Sequence, residues 1–289
     1  MTEFSTADVS AFLARLGVER EPPSVDGLVR LHRAVLERVP YETTWIHLGE
    51  WWSVDRLASL RRIAYQRRGG YCFHINGAFS LLLAALGYNV SLHVGGVHRA
   101  DGPTPEAMTN HLVLQVHGLP ADDCPVGSWY VDAGLGDALY EPMPLIAGTY
   151  QQGPFEFGLA ASDASFADWQ FHHHQSGSFA GMAFRSEPAV IDDFAARNTI
   201  LSTSPDSAFV QTLTVQRRDA TGVDVVRGQM LQRVESTVVS ERTLASESEW
   251  FDALADVFDL PLTDVVSADR HGLWTRVHAA HEAWLAAPS

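Results

Sequence analysis

Cys72 follows Arg68, Gly69, Gly70 and Tyr71 and opens a long apolar run, a setting in which a cysteine can act as a nucleophile. Ile75, Phe79, Leu82, Leu83 and Leu86 recur at helical spacing, Gly87 stands where a helix is capped, and the double glycine breaks the chain in front. The spacing predicts a buried helix with Cys72 in or next to its first turn. The unpaired N–H groups and positive dipole end of that turn stabilise a thiolate, and the same N–H groups can hold an oxyanion.

A thiolate works best beside a base. The stretches NHLVLQV and SWYVDAGLG, joined by HGLPADDCPVG, predict an antiparallel hairpin. With its midpoint near residue 121 or 122, His111 comes opposite Asp132, and cross-strand Cβ atoms about 5 Å apart allow an imidazole to donate to a carboxylate. Cys72, His111 and Asp132 are thus a candidate catalytic triad. Each has a structural reading when taken singly: a small buried hydrophobe, a strand residue, a turn residue. Their conjunction favours catalysis. Cys124 follows Asp122 and Asp123, whose charges disfavour a thiolate, so it is a poor nucleophile. Arg67 and Arg68 stand near Cys72, where they serve either an anion or the fold.

The elements that must position these groups are legible in outline. Up to about Gly87 the apolar residues fall at helical spacing, as in Leu28, Leu31, Val35 and Leu36. From about 89 to 240, runs such as VSLHVGGV, FVQTLTVQR and VESTVVS alternate with Gly, Pro and Asp clusters and predict a sheet or small barrel. Helical spacing returns in SEWFDALADVF and LWTRVHAAHEAWL. His172, His173 and His174 read as partly exposed strand residues on alternating faces, unable to converge on one metal. His278, His281 and Glu282 share a helix face that reads as solvated, so no metal is expected.

Composition narrows the function classes. With 289 residues, 46% hydrophobic and without a run of the roughly 20 apolar residues a membrane helix needs, the chain reads as globular. MTEFSTADVS lacks the basic cluster and apolar core of a secretory signal, which makes the cytoplasm the expected location. Two cysteines build no disulfide framework and leave a free thiol. A net charge of −15 repels phosphate backbones and anionic lipid heads, so neither nucleic acid nor membrane is an expected partner.

These residues together resemble the arylamine N-acetyltransferase family. Its pattern is a double glycine, an aromatic, the nucleophilic cysteine, a second aromatic and usually Glu-x-Asn, here Gly69 to Asn76 with His74 in place of the Glu. The family's His-Leu strand resembles His111 and Leu112, and its Asp-Val-Gly-Phe-Gly turn resembles Asp132 to Gly136. Pro142 to Leu145, Val39 to Glu42, and Ser202 to Phe209 with Gln216 and Arg217 look like further family elements. The resemblance implies an α+β fold with a cysteine-protease-like triad. A helical bundle over 1–88 would carry the cysteine, a central β-barrel over 89–195 the histidine and aspartate, and an α/β lid would span 196–289. It also implies a substrate pocket at Tyr41, Leu135 and Phe209. Leu135 stands where an aromatic is usual and Thr43 where an Asn is usual; with His74, these departures bear on substrate rather than on chemistry.

The activity so implied is ping-pong transfer of an acyl group, acetyl in the first instance. It passes from a CoA thioester through an acyl-cysteine to an arylamine, hydrazine or related amine. Acetyl-CoA is then a co-substrate, with no permanently bound cofactor and no metal. The expected partners are a small amine and acyl-CoA or an acyl carrier protein, and self-association into a homo-oligomer is left open. Two other enzymatic readings stay open: an amide synthase that takes its acyl chain from a carrier-protein thioester, and a hydrolase that uses the same triad with water. A silent scaffold is a third, which a Cys72 inert to iodoacetamide would support.

Overall fold

Helices fill the first third of the chain in the computed structural model, which describes residues 4–286. They are α1 (Thr6–Leu16), α2 (Val25–Arg38), α3 (Thr44–His47), α4 (Arg56–Gln66) and α5 (Cys72–Leu86), with a short strand β1 (Tyr41–Glu42) after α2. Local signals set their ends. Ser5 and Asp8 form a capping box on α1, and Ser24 and Asp55 cap α2 and α4. Gly87 ends α5 at φ 95°, its N–H donating to Ala84 O. Ile75, Phe79, Leu82 and Leu83 of α5 pack with Leu28, Leu31 and Val35 of α2 and with Leu114, Val116 and Val131 from the strands that follow. This helix-on-sheet core seats Cys72 against the sheet.

The next eight strands are β2 (Asn89–His98), β3 (His111–His117), β4 (Trp129–Val131), β5 (Met143–Pro144), β6 (Gly148–Gln152), β7 (Phe155–Ala161), β8 (Trp169–His172) and β9 (Gly181–Ala189). They form one sheet in the order β5-β4-β3-β2-β9-β8-β7-β6. Its outer strands β5 and β6 are consecutive in the chain and separated only by residues 145–147, so the sheet curls until its edges approach, as a nearly closed barrel. Val113, Tyr130, Phe157, Phe171 and Phe184 fill its interior.

Helices α6 (Ala195–Thr203) and α7 (Ala208–Gln211) lead into β10 (Thr214–Arg218), β11 (Val223–Arg227), β12 (Met230–Glu235) and β13 (Val238–Thr243). The chain closes with α8 (Glu247–Phe258) and α9 (Ser267–Ala286). The second sheet runs β1-β10-β11-β12-β13, with Tyr41 opposite Gln216. A strand from the helical third therefore completes the C-terminal sheet.

Two expectations are corrected. FVQTLTVQR is not strand throughout: the strand begins at Thr214, because Ser207 Oγ accepts from Phe209 N–H (3.3 Å) and starts a helical turn. Of the three histidines only His172 belongs to β8; His173 and His174 lie past its end and turn inward onto the buried Asp137. On the α9 face His278 and Glu282 are exposed as expected, His278 stacking on Trp274, while His281 is buried and stacks on Trp284. Among the described residues no cluster of three or more His, Cys, Asp or Glu is arranged to hold a metal, and no helix is long and apolar enough to cross a membrane.

Candidate active site

The double glycine before Cys72 is required by close approach. Glu42 N–H donates to Gly70 O (2.9 Å), and a Cβ on Gly69 would lie 1.7 Å from Pro40 O. Gly70 adopts φ 128°, where side chains are strained, and its Cβ would meet the His74 ring at 2.7 Å. The chain leaves this contact at Tyr71 in extended conformation and enters α5 at Cys72, the first helical residue. The leading N–H groups of a helix have no i−4 partner within it, and here His74 N–H is already taken by Tyr71 O (2.9 Å), which leaves those of Cys72 and Phe73 at the helix start. Cys72 is 3% exposed, and its Sγ lies 3.8 Å from Asn110 O.

His111 opens β3 and Asp132 follows β4, but they are not directly opposite. The register pairs Leu114 with Val131 and Val116 with Trp129, which places the hairpin midpoint between residues 122 and 123. A compact turn in which Ala121 and Cys124 exchange backbone hydrogen bonds fixes that midpoint. The extrapolated neighbour of Asp132 is Val113, so His111 and Asp132 meet diagonally on one face, a two-residue offset that preserves the face. His111 Nε2 lies 2.8 Å from Asp132 Oδ2.

The remaining lone pairs of Asp132 are filled. Tyr130 Oη donates to Oδ2 (3.0 Å), and Asn76 Nδ2 (2.7 Å) and Gly134 N–H (3.1 Å) donate to Oδ1. Asn76 also donates to Leu112 O (2.7 Å) and accepts from Ala133 N–H (3.1 Å). One turn after Cys72, it therefore pins α5 to β3 and to the turn after Asp132. Gly134 has to be small, because a Cβ there would lie 2.8 Å from Cys72 Cα. Sequence reading missed the roles of Asn76 and Tyr130, although two signals were present: the i, i+4 spacing of Cys72 and Asn76, and the i, i+2 spacing of Tyr130 and Asp132.

Asn76→Ala is expected to destabilise the fold by about 3 kcal/mol, since it leaves buried groups on Leu112, Ala133 and Asp132 short of partners. Urea unfolding would show it as a lower midpoint at unchanged slope. A loss below about 0.5 kcal/mol would mean that the network does not hold α5 in place.

Burial disfavours the imidazolium of His111, but the charges of Asp132 and Cys72, and hydrogen bonds to both, outweigh it and raise the pKa from 6.5 to about 10. At neutral pH His111 is therefore charged, with the Cys72 sulfur within its hydrogen-bonding reach.

Cys72, His111, Tyr41, Leu135 and Phe209 line one cleft of about 830 Å³. The triad candidates and the three pocket candidates thus share one site, with Asp132 fully buried behind His111. Phe209 stacks on Tyr71 at 5.3 Å and sits 6.3 Å from the Tyr41 ring; its carbonyl is 3.0 Å from His47 Nε2. Arg67 and Arg68 serve the fold: Arg67 pairs with Asp259, and Arg68, 1% exposed, lies 3.0 Å from Asp264 and packs over Trp52. His74 fills a box formed by Trp45, Trp52 and Tyr71, where burial first, with help from Arg62, depresses its pKa to about 3 and keeps it neutral. Thr43 extends the pairing of β1, its Oγ1 accepting from Thr214 N–H (2.9 Å).

A family model described as N-acetyltransferase matches residues 24–266. An arylamine N-acetyltransferase of the Gallus gallus pineal gland is 29% identical over 281 residues, 88% of this chain and 94% of that protein. The Mycolicibacterium smegmatis arylamine N-acetyltransferase is 29% identical over 275 residues, 91% of this chain and 95% of that protein. Among solved structures, Mycobacterium marinum arylamine N-acetyltransferase in complex with CoA superposes with a TM-score of 0.82 at 25% identity, covering 94% of this chain and 99% of that one. With the helices, barrel-like sheet and second sheet in the same arrangement over nearly the whole length, the chain belongs to the arylamine N-acetyltransferase family and is an acetyltransferase enzyme.

Proposed function

We propose that the chain transfers an acetyl group from acetyl-CoA through Cys72 to an arylamine, hydrazine or related amine by a ping-pong route. The observation that carries this reading is Cys72 and His111 on the wall of a single cleft, with Asp132 buried behind His111 and paired with it. A relative of the same fold that binds CoA supports the donor. Arg227 lines the cleft and, with Arg276, an adjoining chamber, which gives an acidic protein local positive charge for a pyrophosphate. The resemblance's division into a bundle over 1–88, a barrel over 89–195 and a lid over 196–289 belongs to the same proposal, with the cleft where the three meet.

The steps balance in protons. The Cys72 thiolate attacks the thioester carbonyl, the oxyanion forms near the N-terminus of α5, and the thiolate of CoA leaves with the proton of His111. Acylation removes the sulfur charge that helped raise the His111 pKa, so the neutral imidazole that remains is a competent base. It takes a proton from the amine as nitrogen attacks the acyl-cysteine. Release of the amide restores the thiolate and imidazolium. Asp132 keeps the ring oriented throughout.

Tyr41 and Phe209 on the cleft wall favour a flat amine over water as acceptor. Intact-protein mass spectrometry after incubation with acetyl-CoA alone should give one acetyl adduct, which disappears when an arylamine or hydrazide is added. No adduct on a protein whose thiol is still alkylated by iodoacetamide would move the reading to a carrier-protein donor and an amide synthase. An adduct lost equally fast without amine would make the enzyme a hydrolase.

A further inference from the structure

Residues 173–180, which join β8 to β9, close on themselves: His173 N–H donates to Ala180 O (3.1 Å) and Gly177 N–H to His174 O (3.0 Å). Ala180 N–H ties the end of this strap to His98 O of β2 (3.1 Å). Its tip is held by a carboxylate from the loop after β4. Asp137 Oδ2 accepts from Ser178 N–H (2.7 Å), and its Oδ1 accepts from Ser178 Oγ (3.0 Å) and His173 Nε2 (3.2 Å). The Asp137 carbonyl accepts in turn from His174 Nε2 (3.3 Å). Burial pushes the Asp137 carboxyl up, but the donors of His173 and Ser178 outweigh it and hold the group below its usual value, so it stays charged. The His173 side chain is fully buried, and its ring meets the Phe179 ring edge-on at 4.1 Å.

This latch joins two walls of the catalytic cleft. Leu135 and Asp137 lie on one short loop, and Ser178 and Phe179 line the cleft together with Cys72, His111 and Leu135. Phe179 packs against the cluster that contains Leu135. Leu135 offers the cleft an aliphatic surface, and Phe179 adds an aromatic one to the same cleft from another strand pair.

We propose that Phe179, positioned by the Asp137, His173 and Ser178 latch, is a specificity-determining residue that selects flat aromatic amines over small ones in the second half-reaction. The inference rests on the acyl-transfer reading above. Asp137 acts only through the strap and is a positioning residue. An aromatic face presented by a rigid loop favours a planar ligand at little entropic cost.

The test compares wild type, Phe179→Ala and Ser178→Ala with 4-methylaniline and hydrazine as acceptors and acetyl-CoA as donor. The ratio of kcat/KM for 4-methylaniline to that for hydrazine should fall about tenfold in Phe179→Ala, mainly through a higher KM for the aromatic amine. Ser178→Ala, which loses one latch bond and keeps Phe179, should shift the ratio about threefold in the same direction. It reports on the strap even where the larger truncation fails to fold. Ratios within about twofold of wild type in both variants would overturn the proposal. Should neither amine be acetylated by the wild type, the acyl-transfer reading fails separately. Binding of 4-methylaniline, followed by NMR titration, then decides the role of Phe179: weaker binding in Phe179→Ala sustains it, and equal binding overturns it.

Discussion

Cys72→Ala is expected to abolish turnover rather than weaken it, lowering kcat/KM by at least about ten-thousand-fold. Alanine keeps the small buried volume at the start of α5, so the fold should survive and the loss should be chemical. The proposed acyl-enzyme route needs a nucleophile on the cleft wall beside a base, and the sulfur lies at the start of α5, on that wall and within hydrogen-bonding reach of the charged His111. Cys124 lies outside the cleft lining, fully buried in the β3–β4 loop with its Sγ 3.1 Å from Ser128 O. Steady-state assays and intact mass on the same preparation would check this. Residual activity above about 1% with an acetyl adduct still present would place the nucleophile elsewhere.

Asp132→Asn should cost roughly ten-thousand-fold in kcat, because the histidine loses both its orientation and its charge partner. The substitution is nearly isosteric but chemically mismatched. Asp132 accepts from Asn76, Gly134 and Tyr130 and pairs with His111, and an amide turns two of those lone-pair sites into donors that face donors. The pH dependence should change with it. In the wild type Asp132 is the foremost influence that raises the His111 pKa against burial, to about 10. The acylation half-reaction, which needs the imidazolium, should therefore hold its rate up to alkaline pH and fall through about 10. In the variant the falling limb should move down toward or below the ordinary histidine range.

Stability follows the same sign. A folded-state pKa raised above the unfolded 6.5 stabilises the native state fully below that value, and the contribution is lost as pH rises through about 10. Urea midpoints of the wild type should decline between those limits, with a smaller decline in Asp132→Asn. An unshifted rate profile in the variant would show that the charge of Asp132 does not govern His111.

What could be read from the sequence alone was local. The stripe from Ile75 to Leu86 with Gly87 behind it marks a helix that begins at Cys72, and Ser5, Ser24 and Asp55 mark caps, because helix ends are decided by neighbours within a few residues. The hairpin that carries His111 and Asp132 was legible as two strands and a turn-rich loop. Its register was not, since the exchange of hydrogen bonds between Ala121 and Cys124 moved the midpoint by one residue and made the pair diagonal.

Everything that depends on segments distant in sequence was decided by tertiary structure. Spacing in FVQTLTVQR favours a strand, yet Phe209 is drawn into a helical turn where it stacks on Tyr71, 138 positions earlier in the chain by difference of residue numbers. Strand β1 finds its partner in β10 and so completes a sheet that the first third of the chain gives no sign of building. His173 and His174 turn inward because the buried Asp137, on another loop, needs donors. The sequence by itself determined the candidate residues and the elements on which they sit; only the packing of α5 against β3 and the turn at Gly134 decided that they meet. Propensity and capping act over one or two turns of chain, whereas burial and hydrogen-bond satisfaction act over contacts that exist only once the chain has closed on itself.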